Sequence, residues 1–257
     1  MIDVHCHLQD ERLSGDVESI LETCRAEGIE RLIVNGTRPA DWPVVAELAE
    51  RFSDQVRASY GLHPWYVGEV SSGWADALEG YLDGGAIGVG EIGLDKWTRD
   101  HDLPKQKEAF VSQLRMAMRR ELPVTIHCLR AWGHLLEILQ SESVLPQGFL
   151  LHSYGGPAEM VDAFVALGGY FSISGYFFHA RKQAQLETFL SRVPPNRVLI
   201  ETDAPDMGLP EGDEAFGDSS ANHPANLTVV KARMAALLEV SGESFDDNAR
   251  RLFRGVN

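Results

Sequence analysis

The chain opens on Met1-Ile-Asp-Val-His-Cys-His7, and the way this stretch is echoed downstream decides the fold. In a β-strand successive side chains point to opposite faces, so His5 and His7 share one face and Cys6 takes the other. Two imidazoles side by side at the end of a short apolar strand can grip one metal ion from the same direction. A lone His-x-His is read equally well as two neighbouring histidines without a ligand, because imidazoles are common and the spacing is short. The remainder of the chain has to decide between the two.

Working outward, short apolar runs alternate with longer amphipathic ones. The runs 31–35, 56–61, 86–90 continuing through 91–95, 123–127, 149–152, 170–174 and 197–201 read as strands. Helical periodicity covers 17–26, 40–52 (with Asp41 as N-cap), 74–82, 105–120, 132–139, 160–167, 182–192, 227–240 and a short piece at 245–253. Strand and helix therefore alternate about eight times, with no Pro-, Gly- or Ser-rich linker to divide the chain. With 257 residues, this predicts an α/β protein of one domain, residues 1–257, folded as a (β/α)8 TIM barrel. A doubly wound open sheet is the alternative. Asp206–Ser220 is rich in Gly, Asp and Glu and lacks periodicity; a loop over the last strand's mouth is expected there, a lid or a specificity element.

Composition sets outer limits. A hydrophobic share of 44% and a charged share of 24% are those of an ordinary globular protein. No apolar run is long enough to span a bilayer, and the start of the chain has no signal-peptide pattern. Cys6, Cys24 and Cys128 leave an odd thiol and no CxxC spacing, so reduced cysteines and a cytoplasmic location are expected. The net charge of −15, from 23 Lys+Arg against 38 Asp+Glu, disfavours nonspecific attraction to nucleic acid or anionic membrane. It leaves room for a phosphate substrate at a metal site, where divalent cations are the largest local charges.

Placed on the barrel, the ionisable residues fall into a pattern. His5 and His7 end the first strand, His63 the third, Glu91 the fourth, His127 the fifth and His152 the sixth, and Asp203 follows the eighth. All lie at the carboxyl end, where a barrel gathers its active site. Four histidines, a glutamate and an aspartate suffice for two divalent metal ions sharing one carboxylate. Glu91, between the His5/His7 pair and the His127/His152 pair, is the expected bridge. Paired ions lie roughly 3.5–4 Å apart, clamp attacking and leaving oxygens, and acidify bound water. Asp203 can orient or deprotonate that water. The mixed N/O donor set suits Zn, Mn, Co or Ni better than Mg.

Several motifs in order carry a resemblance: Ile2-Asp-Val-His-Cys-His-Leu8, Gly61-Leu-His-Pro64, Gly90-Glu-Ile-Gly-Leu-Asp95, Pro123-Val-Thr-Ile-His-Cys128, His152-Ser-Tyr-Gly-Gly156, Glu201-Thr-Asp-Ala-Pro205, Asn222-His-Pro224 and Asn248-Ala-Arg-Arg-Leu-Phe253. Together they resemble the TatD family of metal-dependent hydrolases, amidohydrolase-like barrels. The resemblance implies a distorted (β/α)8 barrel with two divalent ions on His5, His7, Glu91, His127, His152 and Asp203. It also implies DNase-type phosphodiesterase activity, often a 3′-to-5′ exonuclease. The chain departs from the family at Lys96, ahead of Trp97, at Ser-Tyr after His152, and at His223. None of these is a ligand; they bear on the rim, where substrate is chosen.

Further candidates are His63, as a contact to phosphate or leaving group, Asp95, as partner of a ligand imidazole or a loop cap, and Glu201, as a support for the site. Arg130, Lys96 and Arg181 are solvated charges or phosphate contacts. Trp65, Trp97 and Trp132 pack in the barrel or stack a base. Cys6 and Cys128 are expected in the core. The predicted enzyme hydrolyses nucleic-acid phosphodiesters (DNA ends or short single strands) as a monomer, without membrane or obligate protein partner. The alternative is the same metal site turned on an amide, ester or lactone; a noncatalytic barrel would need a damaged site, and no ligand is missing.

Overall fold

Eight apolar runs become eight parallel strands in a computed structural model, which describes every residue except 99, 143, 144, 219 and 257. They are β1 (Ile2–Cys6), β2 (Arg31–Gly36), β3 (Val56–Tyr60), β4 (Gly88–Asp95), β5 (Val124–Leu129), β6 (Phe149–Leu151), β7 (Gly169–Ile173) and β8 (Val198–Ile200). Each pairs with the next in parallel register, in the order β1 to β8. Helices fill the connections, among them Val17–Ala26, Trp42–Arg51, Leu103–Arg120 and Leu227–Leu238. The result is the (β/α)8 barrel that the alternation predicts; the open sheet is excluded because β8 returns to β1.

That return is where the barrel is distorted. The Asp203 and His7 amides donate to the carbonyls of His5 and Ala204 at 2.9 and 2.8 Å. Below them, the buried Asp3 carboxylate accepts the Thr202 amide at 3.1 Å and the Thr202 hydroxyl at 2.5 Å. A side chain thus closes the seam where a regular ladder would run, and β1 leaves its register with β2 between Asp3 and Cys6.

Two apolar layers hold the barrel. The outward sides of the strands pack under the helices, with Trp42, Phe110, Phe164 and Phe171 all fully buried; Cys6 and Cys128 belong to this layer, as expected. A smaller cluster of Ile2, Val4, Ile33, Leu150 and Leu199 is covered by Leu252 and Phe253 of the last helical stretch. Asn248 in that helix donates to the carbonyls of Pro195 and Val198 at 2.9 and 2.8 Å, which fixes the entry to β8.

Three local expectations are corrected and a fourth is refined. Glu91 does not end its strand: Gly88–Asp95 is a single strand, β4, and Glu91 lies inside it at a register shift between Val89 and Ile92. β5 likewise runs two residues past His127. Asp41 occupies the N-cap position without capping; its carboxylate instead accepts the Thr37 amide and hydroxyl in the preceding turn. The 206–220 segment, whose residue 219 lies outside the described residues, holds a strand turn of its own, Gly217–Asp218 against Ala221–Asn222.

Candidate metal centre

The structure brings His5, His7, His63, Glu91, His127, His152 and Asp203 together at the carboxyl end of the barrel. All but His5, fully buried beside them, line a cavity of about 950 Å³. Glu91 is at the middle. Its Oε2 lies 3.6 and 3.4 Å from Nε2 of His5 and His7. Its Oε1 lies 3.1 Å from Nδ1 of His127, 2.8 Å from Nε2 of His152 and 3.4 Å from Nε2 of His63. Asp203 Oδ1 stands 3.4 and 3.5 Å from the His5 and His7 nitrogens. Asp203 has a left-handed φ of 53°, a region Asp enters more readily than most residues, secured by its amide bond to His5.

Local sequence explains why Glu91 sits here. Gly90 and Gly93 flank it in β4, and neither tolerates a side chain. A Cβ on Gly90 would lie 2.7 Å from the Thr125 Cβ, and one on Gly93, at φ 152°, would collide with the His127 carbonyl. The glycines let β4 and β5 approach closely enough for Glu91 and His127 to meet.

Hydrogen bonds behind the rings decide which nitrogens face inward. His7 Nδ1 donates to the Asn35 carbonyl at 2.9 Å, so Nε2 presents a lone pair to Glu91 and Asp203. His127 Nε2 donates to Asp95 Oδ2 at 2.9 Å, so Nδ1 presents a lone pair to Glu91 and to His152 Nε2, 3.3 Å away. Lone pairs aimed at one another and at carboxylate oxygens repel unless a proton or a metal cation lies among them, and partnered outer nitrogens are the usual arrangement for metal-bound imidazoles. Ligand atoms converge within 4.8 Å in three sets: His5/His7/Asp203, His63/Glu91/His127 and His5/His152/Glu201. The residues present fit divalent metal.

The electrostatics agree. Burial opposes ionisation of Glu91, but the surrounding imidazoles, His152 foremost, outweigh it and hold the carboxyl well below its usual range. Burial is likewise outweighed at Asp203, by His5 and His7, and that carboxyl is also lowered. Against their own burial, His7 and His152 are raised well above the ordinary histidine value by the same two carboxylates. His63 behaves differently: burial pushes it down to about 4 despite Glu91. Its Nδ1 accepts the Trp65 amide at 3.2 Å, so the neutral ring carries its proton on Nε2, toward the centre.

Asp95 is the imidazole partner, and Glu201 supports the site: its Oε1 accepts the Ser153 amide at 2.6 Å and lies 3.8 Å from His152 Nδ1, while its Oε2 accepts the Ser172 hydroxyl at 2.5 Å. Trp132 is half-buried and packs against Tyr154 at the edge of the core. Met207–Leu209 line the cavity, while Asn226 ties down the backbone of Ala215 and Phe216. Sequence reasoning missed Asp3, although its spacing from His5 was a usable signal. It also missed the Asn35 carbonyl behind His7, for which no side chain gives notice.

The profile of the family described as TatD related DNase matches residues 2–254. A protein of Edwardsiella piscicida named 3′-5′ ssDNA/RNA exonuclease TatD is 31% identical over 260 residues, covering 99% of each chain. A protein of Escherichia coli K12 named uncharacterized metal-dependent hydrolase YjjV is 30% identical over 258 residues, covering 99% of this chain and 95% of that one. The crystal structure of YjjV superposes with a TM-score of 0.90 at 29% identity, over 98% of this chain and 97% of that one. A TatD family hydrolase of Entamoeba histolytica, 18% identical with a TM-score of 0.86, shares the fold. This chain belongs to the TatD related DNase family.

Proposed function

We propose that the chain is a two-metal phosphodiesterase acting on nucleic acid, a deoxyribonuclease of the 3′-5′ exonuclease type. The observation that carries this reading is the division of Glu91, one oxygen toward His5 and His7 and the other toward His127 and His152. In it, His5, His7 and Asp203 would hold one divalent ion and His127 and His152 the other, with Glu91 placed between the two sets. Four imidazoles favour Zn, Mn, Co or Ni over Mg. Bound metal supplies Lewis acidity and a lowered pKa for nearby water. Asp203, whose Oδ1 faces the centre beside His5 and His7, takes the proton of the water that attacks phosphorus. His63, neutral with its proton on Nε2, donates to a phosphoryl or leaving oxygen. The relatives' names support nucleic acid as substrate.

The ligand set is complete within residues 1–257, so the proposed site needs no residue from a partner. The three cysteines are free and buried, in keeping with a cytoplasmic location. Among the described residues, no helix is long and apolar enough to cross a membrane.

The test is hydrolysis of short single-stranded DNA by metal-stripped protein repleted separately with Zn, Mn, Co and Mg, with Asp203→Asn as the blank. Metal-dependent shortening from the 3′ end, absent in the variant, is expected. Bound metal without cleavage of DNA or RNA overturns the phosphodiesterase assignment in favour of a carbon-centred substrate.

A further inference from the structure

We propose that Trp65 and Trp97, with Arg130, form a stacking platform for the terminal bases of a single strand, and that Asp95 locks this platform to the metal ligand His127. The proposal rests on the nucleic-acid reading above and adds how the strand is held.

Among the described residues four large apolar side chains are exposed, and Trp65 and Trp97 are two of them, at 51% and 60%. Both belong to one construction. Asp95 Oδ2 accepts Trp65 Nε1–H at 2.7 Å, and the same oxygen accepts His127 Nε2–H at 2.9 Å. Asp95 Oδ1 accepts the Trp97 amide at 2.5 Å. An exposed indole fixed through its only donor has little freedom left to lose on binding, which is what a stacking surface requires. Trp132, just beyond the end of β5, is by contrast half-buried against Tyr154 and Phe164.

Position and charge point the same way. Trp65 lines the cavity, its ring centroid 4.9 Å from that of His63 and 6.1 Å from that of His127. A base on Trp65 therefore lies within one nucleotide's reach of the centre. The Arg130 guanidinium lies 4.0 Å over the Trp97 ring, placing a cation beside the second indole for the next phosphate. Because the chain carries −15 overall, long-range attraction cannot gather the strand, and short-range stacking has to. Every base has a π-face, so such a platform is indifferent to sequence.

The experiment compares a short single-stranded DNA with the same strand made abasic at its two 3′-terminal positions. Affinity is read from quenching of tryptophan fluorescence in metal-loaded Asp203→Asn protein, and KM and kcat from cleavage by the metal-loaded wild type. Each stacked base is expected to contribute about 5- to 150-fold in affinity. Trp65→Ala should raise KM for the natural strand by a factor in that range with kcat nearly unchanged. It should leave KM for the abasic strand where it was, and Trp65→Phe, which keeps a ring but loses the bond to Asp95, should restore the preference for bases only in part. Equal affinity of wild type for the two strands, or a Trp65→Ala defect that is the same for both, overturns the platform. If the wild type binds the natural strand better than the abasic one yet cleaves neither, the platform stands and the nuclease reading falls.

Discussion

Asp95→Asn changes one group and almost no volume, and it tests whether His127 is a ligand. Asp95 is fully buried and accepts three hydrogen bonds, from the Trp97 amide, the Trp65 indole and His127 Nε2. An amide offers one oxygen and one NH2. If the oxygen stays with the Trp97 amide, the NH2 meets two donors and His127 must surrender its Nε2 proton. The ring's proton then sits on Nδ1, the atom 3.1 Å from Glu91 Oε1 and aimed at the centre. If the amide turns over, His127 keeps its tautomer, but the Trp97 amide is left unpaired at a cost of about 1–3 kcal/mol. Neither arrangement is free.

Loss of the partner behind a metal-bound imidazole typically costs about 10- to 100-fold in affinity, or about 1.4–2.8 kcal/mol. Calorimetric titration of stripped protein with Zn or Mn should therefore show one of two sites weakened by this factor. The site built on His5 and His7, whose outer contact is the Asn35 carbonyl, should be nearly unchanged. A folded Asp95→Asn protein that binds both ions as tightly as wild type would refute the assignment of His127.

Glu91→Ala should lose both ions, measured by metal analysis after gel filtration; full occupancy would sink the bridge. His63→Ala should keep both and lose turnover by about 10²–10⁴-fold in the DNA assay. Gly93→Ala should lower the free energy of urea unfolding by at least about 2 kcal/mol, since its φ of 152° and the His127 carbonyl leave no room for Cβ. In metal-free protein, burial raises the Asp3 carboxyl from 3.8 to about 7, so the folded state holds a proton the unfolded chain releases, and stability falls as pH rises through that window. Relative to Asp3→Asn, wild type should lose about 3 kcal/mol between about pH 5 and about pH 8 and little more above it, and a pH-independent difference would refute this.

The fold was legible because a barrel writes its order directly into the chain: each strand is a local apolar run, and each helix a local period. The candidate site was legible for the same reason, as His5, His7, His63, His152 and Asp203 stand at strand ends that the sequence marks. What stayed hidden is non-local. Glu91 reaches the centre from inside β4 because two glycines let β5 close on it, a matter of inter-strand distance. The tautomer of His7 is fixed by a backbone carbonyl on β2, 28 residues away in the chain. The seam between β8 and β1 closes on an Asp3–Thr202 bond spanning 199 residues. The exposure of Trp65 and Trp97, against the half-burial of Trp132, depends on loop packing that periodicity does not encode.

The acidic balance of the chain acquires a meaning once the site is in view. Around the cavity the cations are already matched: Arg12 is held by Asp10 and Asp206 at 2.9 Å each, and Arg38 lies 3.7 Å from Glu69. At the centre of the metal-free protein, Glu91 and Asp203 are offset by His7 and His152, whose rings they hold protonated, which leaves little surplus positive charge to attract a phosphodiester. In the proposed holoenzyme two divalent ions would bring four positive charges against the two carboxylates, making the field positive where the phosphate must sit. Attraction is then confined to the reacting centre. The acidic balance of the rest of the chain offers a polyanion no long-range attraction.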